Sequence, residues 1–173
     1  MNPYPFFIDK ITNSIEDVKT GEVYETEVLP FTNADLKLVL KKYHWNFNWM
    51  EEQIKPSRKV FKLVKQGNTE IQGIISIEIM SNYLELHLIE VAPHNYGRNK
   101  KYYGVAANLV AFACKMSFDL RFEGTVSFTA KTKLIQHYIN TLGAELIYKN
   151  RMKITFTCAK KLVNSYYKNY FHD

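Results

Sequence analysis

Alternating apolar and polar positions mark the middle of the chain as three consecutive strands. Residues 59–66, KVFKLVKQ, and residues 70–80, EIQGIISIEIM, both alternate and flank a turn at Gly67-Asn68. A third run, LELHLIEV, covers residues 84–91. Consecutive strands joined by short turns usually pair as neighbours. The pattern therefore predicts an antiparallel meander.

In front of the meander, the pattern predicts a hairpin and a helix. Residues 11–31 are rich in strand-favouring side chains and turn at Thr20-Gly21. Residues 32–43 begin with helix-capping side chains and continue with apolar residues at helical spacing. The next stretch, residues 44–54, is either a second helix or an irregular segment. Its large side chains either line a substrate pocket or pack in the core: Trp45, Phe47, Trp49 and Met50.

Behind the meander, helices and strands alternate. The predicted elements are, in order, a helix over 104–116, a strand over 125–130, a helix over 133–142 capped by Gly143, a hairpin over 145–158 turning at Asn150-Arg151, and a helix over 159–173. This order predicts an α+β fold. We find no repeat or linker, so residues 1–173 are predicted to form a single domain.

Composition agrees with a folded domain. The 173 residues are 46% hydrophobic and 14% aromatic, which provides a sizeable core and excludes global disorder. Two cysteines, Cys114 and Cys158, are too few for a disulfide framework or a zinc site, so we predict no metal. No apolar run suits a signal peptide or approaches the ~18 residues of a membrane span. We expect a cytoplasmic protein without a membrane partner.

The loop between the meander and the next helix has the chemistry of an anion site. It reads HNYGRNKKYY and leads into a helix that opens at Gly104. Helix N-termini carry unpaired N–H groups and a favourable dipole for anions. Gly104 allows close backbone approach, and Val105 and Ala106 add donors. The alternative is a basic surface loop that only caps the helix.

Two common nucleotide motifs are missing from the sequence. GxxxxGK[ST] does not occur, which argues against a P-loop NTPase, and G-x-G-x-x-G does not occur, which argues against a Rossmann dinucleotide site. The net charge of +6 suits an anionic small ligand, an acidic partner or a solvated lysine-rich surface.

Three segments in this order resemble motifs of the GCN5-related N-acetyltransferases. Val91-Ala92-Pro93 resembles the V-x-P that ends the family's fourth core strand. KYYGVA, residues 101–106, resembles the pyrophosphate loop [R/Q]-x-x-G-x-[G/A], with lysine in the first position and a longer loop before it. YINTLGA, residues 138–144, resembles the late F-Y-x-x-x-G-[F/A], with one extra residue. The resemblance covers roughly residues 60–158.

The resemblance implies a GNAT-like domain with a mixed, mostly antiparallel central sheet and helices on both faces. It also implies acetyl-CoA as co-substrate and direct acetyl transfer to an amine. In this family the fourth and fifth core strands diverge, and the pantetheine arm lies in the opening. The residues that it implies for coenzyme binding are Ile89, Val91, Arg98, Lys100, Lys101, Tyr103, Gly104, Val105, Ala106, Thr129 and Lys131.

Amine acetylation needs a base for the amine, a donor for the oxyanion and an acid for the thiolate. Glu85 and Glu90 are candidate bases, acting directly or through water, because partial burial raises a carboxyl pKa. Glu90 is in phase with the strand's leucines, which calls for a β-bulge or a site. His87 is a third candidate, and an N–H near Val91 would polarise the thioester.

The late tyrosine has a role only through the resemblance. By that resemblance, Tyr138 protonates the departing thiolate of CoA; the alternative is a core tyrosine on an apolar helix face. A non-catalytic CoA-binding module is the second hypothesis for the whole chain. A nucleic-acid-binding protein is the third, but no recognised motif supports it, and we do not expect nucleic acid as a partner. The acceptor is a small-molecule or peptide amine, and a homodimer is left open.

Overall fold

The computed structural model describes residues 6–171. Its strands are β1 (Ile15–Asp17), β2 (Val23–Tyr24), β3 (Thr26–Pro30), β4 (Lys59–Lys65), β5 (Ile71–Ile79), β6 (Leu84–Val91), β7 (Tyr102–Tyr103), β8 (Val126–Thr129), β9 (Glu145–Tyr148) and β10 (Arg151–Ile154). Its α-helices are α1 (Trp49–Gln53), α2 (Val105–Asp119), α3 (Ile135–Leu142) and α4 (Phe156–Tyr166). The predicted single domain also includes residues 1–5 and 172–173, which lie outside the described residues.

Within residues 6–171, seven strands form the central sheet in the order β3-β4-β5-β6-β8-β10-β9. All neighbours in it are antiparallel except β6 and β8, which are parallel. The meander β4-β5-β6 is therefore confirmed, and so is the predicted mixed, mostly antiparallel sheet. A small second sheet, in the order β2-β1-β7, joins the N-terminal hairpin to the loop before α2.

Two hydrophobic clusters cover the central sheet. The larger cluster contains buried residues of α2, α3 and α4, whereas the smaller one contains Phe31, Trp45 and Trp49 from the segment between β3 and β4. Helix α2 lies close to β5 because Gly73 has no side chain: a Cβ there would lie 2.9 Å from Val105 Cγ1. The predicted helix over 104–116 is confirmed as α2, and its position places its N-terminus beside the end of β6.

The segment between β3 and β4 differs from the helix predicted over 32–43. Two 3₁₀ turns, Asn33–Leu38 and Lys41–Tyr43, replace that helix, and only the short α1 follows. Asp35 accepts hydrogen bonds from the backbone and the hydroxyl of Thr32. It also forms an ion pair with Lys62 of β4, whose Nζ lies 2.8 Å from Asp35 Oδ1. These contacts fix the segment to the sheet, so tertiary partners replace the helical ladder.

The C-terminal region also differs from the predicted boundaries. The last hairpin turns at Lys149-Asn150, with Lys149 in the left-handed region at φ 53°. Helix α4 already begins at Phe156, within the predicted hairpin, and ends at Tyr166. Beyond α4 the chain is held by ring contacts, because Tyr170 packs against Phe118 of α2 in a tilted arrangement and Phe171 packs against it edge-on.

Candidate active site

Strands β6 and β8 separate soon after they begin to pair. They are in register only at Leu84 with Val126 and at Glu85 with Ser127. From Leu86 onward, the edge of β6 that faces β8 has no strand partner among the described residues. A parallel pair that opens in this way leaves a wedge-shaped cleft between the two strands. We name it the β6–β8 cleft.

A cavity of about 770 Å³ lies beside the end of β6. Five of the residues predicted to bind coenzyme line it, namely Ile89, Val91, Lys100, Val105 and Ala106. The sequence-predicted catalytic residue Glu90 lines it as well. Another wall comes from the segment before α1, with His44, Asn46 and Phe47. The cavity thus joins the end of β6, the N-terminus of α2 and the predicted substrate segment.

The other predicted coenzyme residues do not line this cavity: Arg98, Lys101, Tyr103, Gly104, Thr129 and Lys131. Arg98 and Lys101 are exposed on the loop before α2. Tyr103 pairs with Glu16 in the small sheet. The Thr129 hydroxyl accepts a hydrogen bond from Arg151 at 2.9 Å.

The sequence suggested that Gly104 allows the backbone to approach a bound anion, but its close neighbours in the structure are residues of the chain itself. It adopts φ 87°, in the left-handed region, and is buried. A Cβ at this position would lie 2.8 Å from the carbonyl oxygen of Ser14 and would also collide with the Thr12 side chain. The close approach that requires glycine is therefore made by the chain's own N-terminal region.

The N-terminus of α2 holds an anionic group that belongs to the protein. The Gly104 N–H donates to Asp9 Oδ1 at 3.1 Å, and Lys100 Nζ lies 3.0 Å from Asp9 Oδ2. A helix start and a lysine together match the predicted anion site. Sequence reasoning missed Asp9, because nothing in the run PFFID relates it to a loop some 95 positions later.

Glu90 is held by three N–H donors. Its carboxylate accepts from the backbone of Asn46 at 2.6 Å, from the backbone of Phe47 at 3.2 Å and from the Trp49 indole at 2.9 Å. Burial raises the pKa of the Glu90 carboxyl, and these three hydrogen bonds oppose the rise. The group therefore fixes the segment before α1 and also borders the cavity.

A β-bulge explains how Glu90 reaches this position. Pairing between β5 and β6 shifts, so that Ser76 opposes Leu88 while Ile77 opposes Leu86. The extra residue, His87, breaks the alternation of side chains, so that Leu86 and Leu88 point to opposite faces of the sheet. Leu86 then faces the α2 side of the sheet, whereas Leu88 joins the cluster of Trp49. The bulge that the sequence called for is present.

Glu85 and His87 are each engaged by another side chain, and neither lines the cavity. Arg151 donates to both Glu85 oxygens, at 2.6 and 2.5 Å, and to Ser127 Oγ at 2.8 Å. These bonds raise the pKa of the Arg151 guanidinium. Glu85 lies where β6 and β8 pair and, unlike Glu90, does not line the cavity, so the geometry does not favour it as a base. His87 Nε2 lies 2.9 Å from Glu78 Oε1, and His87 does not line the cavity either.

Tyr138 packs against β8, the strand that forms the other side of the β6–β8 cleft. Its ring packs on Phe128 of β8, with centroids 5.2 Å apart, and its hydroxyl donates to the Phe6 carbonyl oxygen at 2.6 Å. Burial raises the pKa of the hydroxyl above its ordinary value. The group is therefore a proton donor, and residue 6 is its acceptor in this structure.

Several other expectations have simple outcomes. Trp45 packs in the core, whereas Phe47 lines the cavity and, with Trp49 and Met50, also lines a second pocket of about 350 Å³. Of these, Trp49 is buried and Met50 is exposed. Among residues 6–171, no group of three His, Cys, Asp or Glu side chains is arranged to hold a metal ion. No helix in the described part of the chain is long and apolar enough to cross a membrane.

Comparison with known proteins gives structural matches alone. No protein-family model matches the chain, and no curated protein sequence matches it. The spermidine/spermine N-acetyltransferase SpeG from Vibrio cholerae superimposes with a TM-score of 0.54 at 14% identity, covering 79% of this chain and 97% of SpeG. AtaTR bound with acetyl-CoA gives 0.54 at 12%, covering 80% and 98%.

A third neighbour is the AtaT–AtaR complex bound to DNA, with a TM-score of 0.56 at 17% identity, covering 79% of this chain and 98% of the other. A DNA complex among the neighbours gives no support to the expectation that nucleic acid is not a partner. At these identities the likeness establishes the fold. With a β6–β8 cleft beside the start of α2, this chain has the fold of the GCN5-related N-acetyltransferases.

Proposed function

We propose that this protein binds acetyl-CoA in the β6–β8 cleft and transfers the acetyl group directly to an amine. The observation that carries the proposal is the separation of β6 from β8 directly beside a helix start that already binds a carboxylate. An open strand edge can pair with the amides of a pantetheine arm, and a helix N-terminus suits a pyrophosphate.

The coenzyme residues divide into three groups in this proposal. The β6 edge at Ile89 and Val91 receives the pantetheine arm, and its end polarises the thioester carbonyl. Lys100 and the α2 start, from Gly104 to Ala106, receive the pyrophosphate. The remaining predicted residues extend these surfaces: Arg98, Lys101 and Tyr103 on the loop side, and Thr129 and Lys131 after β8.

Glu90 is the proposed base, because its carboxylate borders the cavity and its pKa is raised by burial. It accepts the amine proton directly or through water as the new N–C bond forms. The C–S bond then breaks, and Tyr138 donates its hydroxyl proton to the departing thiolate. Glu85 is assigned to holding Arg151 instead. The acceptor is a small-molecule or peptide amine; a cytoplasmic location is an expectation from sequence alone, and a homodimer is left open.

Two measurements test this proposal. Calorimetric titration with CoA should give saturable binding, and no heat at millimolar CoA would contradict it. Release of free thiol from acetyl-CoA should then be assayed with a panel of polyamines, amino sugars and peptides. Thiol release that depends on one amine supports transfer.

A non-catalytic CoA-binding module is the second candidate. It is favoured by one observation, namely that the Tyr138 hydroxyl is already bonded to the chain's own Phe6 carbonyl. This candidate predicts CoA binding without thiol release for any member of the amine panel.

A further inference from the structure

Residues 6–9, which we name the strap, lie across the β6–β8 cleft. The Phe6 ring packs between Tyr138 and Phe128, with centroids 4.9 and 5.8 Å away. Phe6 and Ile8 are both buried in the cluster that contains Ile89 of β6. The strap therefore bridges the two walls of the opening and forms part of the cavity lining.

The polar contacts of the strap coincide with groups assigned above to the coenzyme. At one end, Asp9 takes the Gly104 N–H and the Lys100 ammonium, the donors proposed for pyrophosphate. At the other end, the Phe6 carbonyl takes the Tyr138 hydroxyl, the donor proposed for the thiolate. The strap thus places a carboxylate where the pyrophosphate of CoA is proposed to bind. It also places a carbonyl acceptor beside Tyr138, where the sulfur of CoA is proposed to lie.

The chain after the strap is anchored independently of it. The Thr12 N–H donates to the Tyr166 hydroxyl at 2.9 Å, and β1 pairs with β7. Between anchor and strap, Lys10 and Ile11 are exposed. If the strap leaves the cleft, this anchor keeps it tethered beside the site, where its effective concentration is high.

We propose that the strap is an intramolecular competitor of CoA, an autoinhibitory segment whose Asp9 carboxylate occupies the pyrophosphate position and whose Phe6 fills the cleft beside Tyr138. The proposal rests on the proposed function above. CoA and the strap cannot both use the Gly104 N–H, so coenzyme binding requires the strap to withdraw.

The first experiment compares Asp9→Asn with a matched control, Glu16→Gln. Each removes one carboxylate that pairs with a lysine, but Glu16 pairs with Lys10 and does not touch Gly104. Titration with CoA should show at least about tenfold tighter binding for D9N. The E16Q variant should bind within about twofold of the unchanged protein. Equal or weaker binding by D9N would overturn the proposal.

The second experiment uses the unchanged chain, so it does not depend on how a variant folds. Hydrogen–deuterium exchange of peptides covering residues 6–10 is measured with and without saturating CoA. Release of the strap predicts faster exchange of the Ile8 amide, which donates to His137 Nε2 at 3.0 Å in the closed state. Unchanged or slower exchange of these peptides with CoA bound would overturn the strap while leaving the proposed function intact. No CoA binding by either the unchanged protein or D9N would instead overturn the proposed function.

Discussion

The Trp49 indole N–H donates to Glu90 Oε1 at 2.9 Å and so joins the tryptophan-containing segment to the end of β6. Both groups are largely buried, since Trp49 is 1% and Glu90 is 7% exposed. A buried carboxylate that receives three N–H bonds organises the segment around it. This relationship makes one wall of the cavity depend on a single charged side chain.

Replacing Glu90 by Gln should therefore destabilise the fold. The amide group of Gln would turn an NH₂ toward at least one of three N–H donors, leaving it unsatisfied. We expect the free energy of unfolding to fall by about 1–3 kcal/mol in urea titrations. The exposed Glu51→Gln serves as control and should change it by less than about 0.5 kcal/mol. An unaltered E90Q midpoint would show that these hydrogen bonds contribute little.

The Glu52 carboxylate gives a prediction for acid stability. Burial opposes its ionisation, but hydrogen bonds from Ser76, Lys55 and Arg58 outweigh burial and lower its pKa below 4.5. A lowered pKa in the folded state stabilises the protein above the unfolded value, and this stabilisation disappears as pH falls through the folded value. The free-energy difference between the unchanged protein and Glu52→Gln should therefore shrink as pH falls below about 4.5. A difference that is constant from pH 7 to pH 3 would contradict this assignment.

The Arg151–Glu85 pair joins the last hairpin to the start of β6. Arg151→Met leaves Glu85 and Ser127 without their donor in a largely buried place. We expect a loss of about 2 kcal/mol in unfolding free energy. The double variant with Glu85→Gln should recover part of that loss, because the unpaired charge is gone. Additive losses in this double-mutant cycle would argue against a coupled pair.

Gly104 offers a separate test of the crowded helix start. Gly104→Ala adds a Cβ against Ser14 and Thr12 at a positive φ, whereas Gly97→Ala has a similar φ of 84° and nothing within 4 Å of the added atom. Both variants carry the backbone penalty of about 1 kcal/mol. The melting temperature should therefore fall further for G104A than for G97A. Equal shifts in melting temperature would mean that Thr12 and Ser14 move away from the added Cβ at no measurable cost in stability.

Tyr138→Phe separates the proposed catalytic acid from binding. The variant keeps the ring contacts with Phe6 and Phe128 but cannot donate a proton. With an amine that the panel identifies, kcat should fall about 100-fold. The control Tyr167→Phe, at a partly buried tyrosine that follows α4, should retain the kcat of the unchanged protein. Full turnover by Y138F would remove this residue from the mechanism.

The sequence by itself determined the elements that depend on local periodicity. The alternation in 59–91 specified the meander, and the apolar run after Gly104 specified α2. Helical residues flanking Tyr138 and the glycine at 143, which adopts φ 67°, specified α3 and its end. Such features follow from side-chain spacing and backbone preference within a few residues. Three motifs in order were then enough to indicate the fold.

Only the tertiary structure decided what each charged group faces. Glu85 and Glu90 are similar residues on one strand, but a bulge at His87 and partners 66 and about 41–44 positions away give them different surroundings. The anion at the start of α2 proved to be Asp9, from the other end of the chain. Pairings between distant segments depend on the whole packed fold, since no local pattern records which donor a carboxylate will meet.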